Sequence, residues 1–171
     1  MNDEASEMAR TSQISHVWGM IDRVEVGMLT TRFSGGLRAR PLQARTDRDA
    51  GVIWFLTDER SDKDSEIHLQ EDVGLVFVDG ASRAWLSITA RASITRDPVR
   101  AKMIWKLTDD MWWPGGADDP NVRVLRILPV TAELWNGPSG AFSTAFEFVK
   151  AKLTGEKPSL GENCKATVPM R

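Results

Sequence analysis

Two stretches, Gly36-Leu-Arg-Ala-Arg-Pro-Leu42 and Val52-Ile-Trp-Phe-Leu-Thr-Asp58, with Ser61-Asp-Lys63 close behind, decide how this chain is read. The first reads as a strand, and its Pro41 cannot donate to a β-ladder, so it marks an edge or a bulge. On a strand, Arg38 and Arg40 are two residues apart and share a face. Two adjacent guanidinium groups repel unless an anion or acidic residues lie between them, and a guanidinium fork matches phosphate oxygens. The second stretch is a buried-looking strand that runs into a polar turn. There a helix start presents free N–H groups, with Ser61 as cap and Lys63 as an added cation. Each feature has a plainer explanation: a solvated basic strand face for the first, an ordinary cap and a surface lysine for the second. Together they bring cations from two neighbouring segments to where one dianion can sit.

Outward from this centre the apolar period assigns the rest. Val26 to Phe33 is rich in β-formers, Ser34-Gly35-Gly36 supplies a tight turn, and Leu37 to Thr46 reads as the return strand. Asp47 to Gly51 is a second turn. Ser61 opens a short helix running to about Gln70. Gly74 to Val78 and Ala84 to Thr95 are strands joined by the Asp79-Gly80 hairpin signal. Asp97-Pro98 opens a helix to about Asp110, with proline in its first turn. Val122 to Leu134 returns to strand character. Upstream, Met8, Ile14, Val17, Trp18 and Ile21 approximate one helical face, giving an N-terminal helix over Glu4 to Ile21. Phe142, Phe146, Val149 and Leu153 give a last helix over 142–153. The expectation is a single domain over residues 1–171, mainly β with flanking helices, of about six antiparallel strands in a barrel. Consecutive antiparallel strands without regular βαβ alternation argue for a barrel over a doubly wound sheet.

Bulk composition narrows the function. A length of 171 residues suits one domain with a real core, and a formal net charge of -2 offers no global attraction for nucleic acid or an anionic membrane. A single cysteine, Cys164, cannot form an intrachain disulfide, no apolar run is long enough to span a bilayer, and Met1 to Arg10 are too polar and acidic for a signal peptide. The chain therefore reads as cytoplasmic. Seven tryptophans and no tyrosine make Trp the available stacking surface, although core packing accounts for most of them. His16 and His68 lie far apart without metal-ligand spacing, so no metal site is expected. The acidic residues Asp109, Asp110, Asp118 and Asp119 read as solvated surface and helix caps.

With these segments in order, and with Trp112-Trp-Pro-Gly-Gly116, Asp118-Asp-Pro120, Ala132-Glu-Leu-Trp-Asn136, Thr154-Gly-Glu-Lys-Pro158 and Gly161-Glu-Asn163 behind them, nearly the whole chain resembles the general stress protein 26 group. That group is a branch of the pyridoxamine 5'-phosphate oxidase-like FMN-binding split β-barrels. The resemblance implies that Arg38 and Arg40 lie along the phosphate and ribityl side of FMN, with Pro41 beside them in the cofactor site. It implies that Phe55, Leu56 and Thr57 line the isoalloxazine, largely through backbone groups, and that Ser61 and Lys63 grip the phosphate. It also implies a homodimer with the flavin at the interface, for which Trp112, Trp113 and Trp135 are candidates for the wall given by the partner chain. Leu42, Ala90 and Asn136 depart from the group's usual Met, Gly and Asp, and Leu56 stands where the true oxidases often carry an aromatic residue. The arginine and histidine set that holds substrate phosphate in those oxidases has no counterpart here, so pyridoxine 5'-phosphate oxidation is not expected.

The functional expectation is an FMN-binding stress-response-type flavoprotein, read as a flavin-dependent oxidoreductase of unknown substrate. The alternatives are a non-catalytic carrier or sensor of FMN or FAD, and the same barrel around a deazaflavin or haem. Residue types identify no dedicated acid or base.

Overall fold

The computed structural model describes residues 2–136 and 166–170. Helix α1 (Asn2–Val24) leads into β1 (Val26–Phe33), β2 (Gly36–Gln43), β3 (Arg45–Asp47) and β4 (Val52–Asp58). There follow α2 (Lys63–Leu69), β5 (Asp72–Asp79), β6 (Ala84–Thr95) and α3 (Pro98–Ile104). Two 3-10 turns (Leu107–Met111 and Gly116–Asp118) precede β7 (Val122–Asn136) and β8 (Ala166–Pro169). The strands form one antiparallel sheet in the order β2-β1-β5-β6-β7-β4-β3, with β8 on β7. Its outermost strands, β2 and β3, are consecutive in the chain and meet at Ala44, so the sheet curls until its two ends are one continuous segment. This is the architecture expected, mainly β with flanking helices in a split barrel.

Three expected elements differ. The return strand 37–46 is two strands: Ala44 N–H leaves the β1 ladder and donates to the Glu25 carbonyl at 2.7 Å, after which β3 pairs with β4. With β8 added, the described residues hold eight strands where about six were expected. The helix opened by Asp97-Pro98 ends at Ile104 instead of Asp110, because Trp105 turns extended and the Asp109 carboxylate captures the Lys106 N–H at 2.8 Å, restarting the chain as a 3-10 turn. Asp62, not Ser61, is the N-cap of α2, since the Ser61 hydroxyl donates backward to the Asp58 carbonyl at 2.6 Å. The helix expected at 142–153 lies outside the described residues. Pro41 does sit on an edge strand, where its missing N–H costs little.

The main core fills the curl. Ile53, Phe55, Leu75, Phe77, Leu86, Ile88, Leu125 and Ile127 are buried in it, and Val17, Trp18, Met20 and Ile21 of α1 close one side. The expected face of α1 holds only in its second half, since Met8 is exposed. A second, smaller cluster of Leu56, Ala101, Trp113, Val122 and Val124 packs on the other face of β4 under α3. β4 is thus covered on both sides, which explains its near-continuous apolar run.

Gly27 on β1 faces the Phe77 ring, and a Cβ there would stand 2.7 Å from ring atoms that have no room to move. Gly27→Ala is expected to destabilise the fold by about 1–3 kcal/mol. Urea unfolding measures this, and a change within experimental scatter would show that the ring yields.

Candidate functional site

Helix α2 lies against β1, and its Glu66 points inward. In the β1–β2 ladder Thr31 faces Arg38 and Leu29 faces Arg40, so both arginines project to the same side as buried Thr31. There they meet Glu66, whose side chain is 5% exposed. The Thr31 hydroxyl and the Arg40 guanidinium each donate to Glu66 Oε2 at 2.6 Å, and Arg40 also donates to Thr31 Oγ1 at 2.6 Å. Arg38 lies 3.1 Å from Glu66 Oε1, donates to Asp62 at 2.7 Å, and rests on the Phe33 ring. Burial alone would raise the Glu66 carboxyl. The bonds from Thr31 and Arg40 and the charges of Arg40 and Arg38 outweigh it and hold the group below its ordinary range. The repulsion within the arginine pair is thus relieved by a carboxylate of the chain itself.

Lys63 starts the same helix three residues earlier, on the same face as Glu66. It is half-buried, and it makes no hydrogen bond or ion pair among the described residues. Desolvation and then the neighbouring Arg40 charge push its ammonium below the usual lysine range, with partial offset from Glu66, Asp58 and Asp62. Lys63 opens onto a cavity of about 590 Å³, a size that suits a small-molecule ligand. Its walls are Val26, Pro41, Leu42, Gln43 and Arg45 from the barrel seam, Leu56, Thr57 and Asp58 from β4, Arg60, and Asp109, Trp112 and Trp113 from the loop after α3.

The tryptophan wall is pinned to the barrel by one buried ion pair. Arg45 donates to both oxygens of Asp109 at 2.6 and 2.7 Å and also to the carbonyls of Ile104 and Gln43. The Asp109 carbonyl in turn accepts from the N–H groups of Trp112 and Trp113. Trp113 is buried against Trp105, and its indole N–H donates to Asp58 at 3.3 Å. Trp112 is 73% exposed and leaves a ring face at the cavity mouth. Asp58 receives a two-pronged bond from Arg60, which holds its carboxyl at about 2.

Of the residues expected at the site, Pro41, Leu56, Thr57, Lys63, Trp112 and Trp113 line one cavity. Arg38 and Arg40 stand behind it on Glu66. Ser61 is committed to Asp58, although its hydroxyl lies 3.4 Å from that of Thr57. The Phe55 side chain points the other way into the main core. However, the β3–β4 ladder ends at the pair of Arg45, the first residue of β3, with Trp54, so beyond that pair β4 has no strand neighbour on this side and its backbone edge faces the cavity. Trp135 lies at the far end of β7, opposite Trp85 on the outer face of the sheet, and reaches no wall of this chain's own cavity. Sequence reasoning missed Glu66, Arg45 and Asp109. The requirement for an anion between two arginines signalled Glu66. For Arg45 and Asp109 no local signal exists, because they are 64 residues apart. Asp109 does cap a turn, but it is buried instead of solvated.

Residues 12–159 match the pyridoxamine 5'-phosphate oxidase-like family. Protein bli-3 of Neurospora crassa is 21% identical over 168 residues, covering 92% of this chain and 80% of that protein. The crystal structure of a Jannaschia sp. CCS1 protein assigned to general stress protein 26 superposes with a TM-score of 0.72 at 28% identity, over 92% of this chain and 99% of that one. The general stress FMN/FAD binding protein of Xanthomonas citri superposes with a TM-score of 0.63 at 26% identity, over 72% of this chain and 87% of that one.

Two outcomes follow for the site's own groups. Asp109→Ala leaves Arg45 buried without a counter-charge and is expected to destabilise the protein by about 3–5 kcal/mol in urea unfolding, whereas Arg45→Met with Asp109→Leu recovers most of it. A loss below 1 kcal/mol for the single variant would show that the pair is not holding the loop. Asp58 has a folded value below its ordinary 3.8, so the stability it contributes is present above that range and is lost as pH falls toward about 2. Asp58→Asn should flatten the decline of the urea midpoint over that acid window, and an unchanged slope would assign the decline to other carboxylates.

Proposed function

The chain belongs to the pyridoxamine 5'-phosphate oxidase-like family, and from that premise we propose that it binds FMN in the Lys63–Trp112 cavity and works as a flavin-dependent oxidoreductase. The observation that carries this reading is Lys63. A half-buried ammonium that makes no hydrogen bond or ion pair among the described residues, and is offset only in part by the charges of Glu66, Asp58 and Asp62, is costly unless a ligand anion completes it. The hydroxyl of Thr57 and the arginines behind Glu66 surround that corner with donors and positive charge. A phosphate on Lys63 would leave the ring system along the free backbone edge of β4, toward the exposed face of Trp112, where stacking shields it from water.

A bound flavin would supply the electron-transfer chemistry that no side chain here provides. The chain's own residues bind, orient and exclude water. Asp58 is engaged by Arg60 and Asp109 by Arg45, so neither stands as a free proton carrier in the cavity. That arrangement favours, as a second reading, a flavin carrier or sensor without turnover. FAD shares the phosphate chemistry of FMN. Neither His16 nor His68 lines the cavity, which weighs against haem.

The proposal includes a homodimer and the cytoplasmic setting expected from the sequence. Met28, Val76, Val78 and Trp85 expose apolar side chains on the outer face of neighbouring strands, and exposed Val26 and Pro41 continue that face into the cavity rim. A second copy covering this face would close the cavity, and Trp135, next to Trp85, could reach a flavin only from such a partner. Among the described residues no helix is long and apolar enough to cross a membrane.

Purified protein is expected to be yellow, with mass spectrometry of the released ligand giving FMN. Colourless protein that takes up no added flavin would refute the proposal. Lys63→Ala should weaken FMN binding by about 1–3 kcal/mol, and unchanged affinity would move the phosphate elsewhere. Sedimentation should give a dimer at micromolar concentration, with a monomer contradicting the interface.

A further inference from the structure

Among the described residues, the corner beside Lys63 holds Arg38, Arg40 and Lys63 against Glu66 and Asp62, with Asp58 close by but paired to Arg60, which leaves a single surplus positive charge. The two carboxylates are not equivalent. Asp62 is 73% exposed and free to turn into solvent. Glu66 is pinned by the Thr31 hydroxyl under α2 and cannot leave. Arg38 and Arg40 stand behind the cavity wall, and the Arg40 charge acts on Lys63, so a phosphate arriving at Lys63 comes into the field of arginines that already have an anionic partner. Positive charge screened at close range by a buried carboxylate attracts a second anion much less than bare charge does.

We propose that Glu66 is a built-in counter-anion, which competes with a ligand phosphate for Arg38 and Arg40 and so sets how strongly the cavity prefers phosphorylated over unphosphorylated flavin. The inference rests on the flavin reading above. Glu66 acts through the arginines, as a positioning residue, and touches no ligand itself. It keeps the arginine pair folded and neutralised when no ligand is bound, and it caps the affinity the pair can lend to a phosphate. Removing its charge should therefore have opposite effects on the empty and loaded protein. Arg40, whose side chain is only 16% exposed, loses its partner in the empty protein. A bound phosphate then replaces the missing charge.

The test uses the full chain, freed of ligand, with Glu66→Gln and Asp62→Asn. Dissociation constants for FMN and for riboflavin come from quenching of flavin fluorescence, and thermal midpoints are read with and without saturating FMN. Glu66→Gln is expected to lower the empty protein's midpoint, to enlarge the rise on adding FMN, and to increase the preference for FMN over riboflavin by about tenfold, a gain of the size a charge-assisted contact supplies. Riboflavin affinity should hardly move. Asp62→Asn should raise the preference in the same direction by about twofold, because its charge is exposed and screened. A preference that is flat or reduced in Glu66→Gln overturns the proposal. If Glu66→Gln does not fold, Asp62→Asn decides: a rise supports the proposal, no rise overturns it. Wild-type protein that binds neither flavin overturns the flavin reading and this inference with it, whereas wild-type protein that binds FMN while both variants stay flat overturns this inference alone.

Discussion

Glu66, buried under a helix of two turns, holds three strangers together: a strand hydroxyl, Thr31, and two arginines from the neighbouring strand. Burying a carboxylate is expensive unless charge and hydrogen bonds surround it, and here both oxygens are engaged. Because the carboxylate fixes α2 on β1 and β2, it also fixes Lys63 one turn upstream, at the edge of the cavity. The free ammonium is therefore presented by a rigid element and not by a loose turn. Across the cavity the Arg45–Asp109 pair does the same for the tryptophan loop, through one carbonyl that accepts from two consecutive tryptophans. Two buried ion pairs, one on each side, set the width of the site.

The sequence made most of the scaffold legible, and the reason differs between elements. β1 and β6 were bounded to the residue because turn chemistry stops them: Ser34-Gly35 after β1, and an Asp97-capped helix soon after β6. The break at Ala44 was not legible, since the chain keeps extended geometry while its hydrogen-bond partner changes from β1 to β4. A change of partner leaves no local mark. The early stop at Ile104 escaped for a related reason, because Asp109 ends the helix through a contact whose other half, Arg45, lies in a distant strand. At the site, spacing put Arg38 and Arg40 on one face correctly, and it allowed two kinds of partner for them. The partner observed is internal. That leaves Lys63 as the cation still open to an anion.

Membership of the family rests on a match over residues 12–159, and the superposed structures share the split barrel. Neither assigns a substrate. The cavity adds, among the described residues, a lysine without an ion-pair partner, carboxylates already engaged by arginines, and an exposed indole at the mouth. Its rim runs without a break onto an apolar outer face, so a ligand here and a second subunit would share one seam.

The most direct test of the account is a crystal structure of the protein soaked or grown with FMN. The account predicts a phosphate oxygen within hydrogen-bond reach, roughly 2.7–3.2 Å, of Lys63 Nζ, with the ring lying along the open edge of β4 beyond Trp54. A flavin whose phosphate lies away from Lys63, or full crystals with the Lys63 corner still filled only by water, would contradict it.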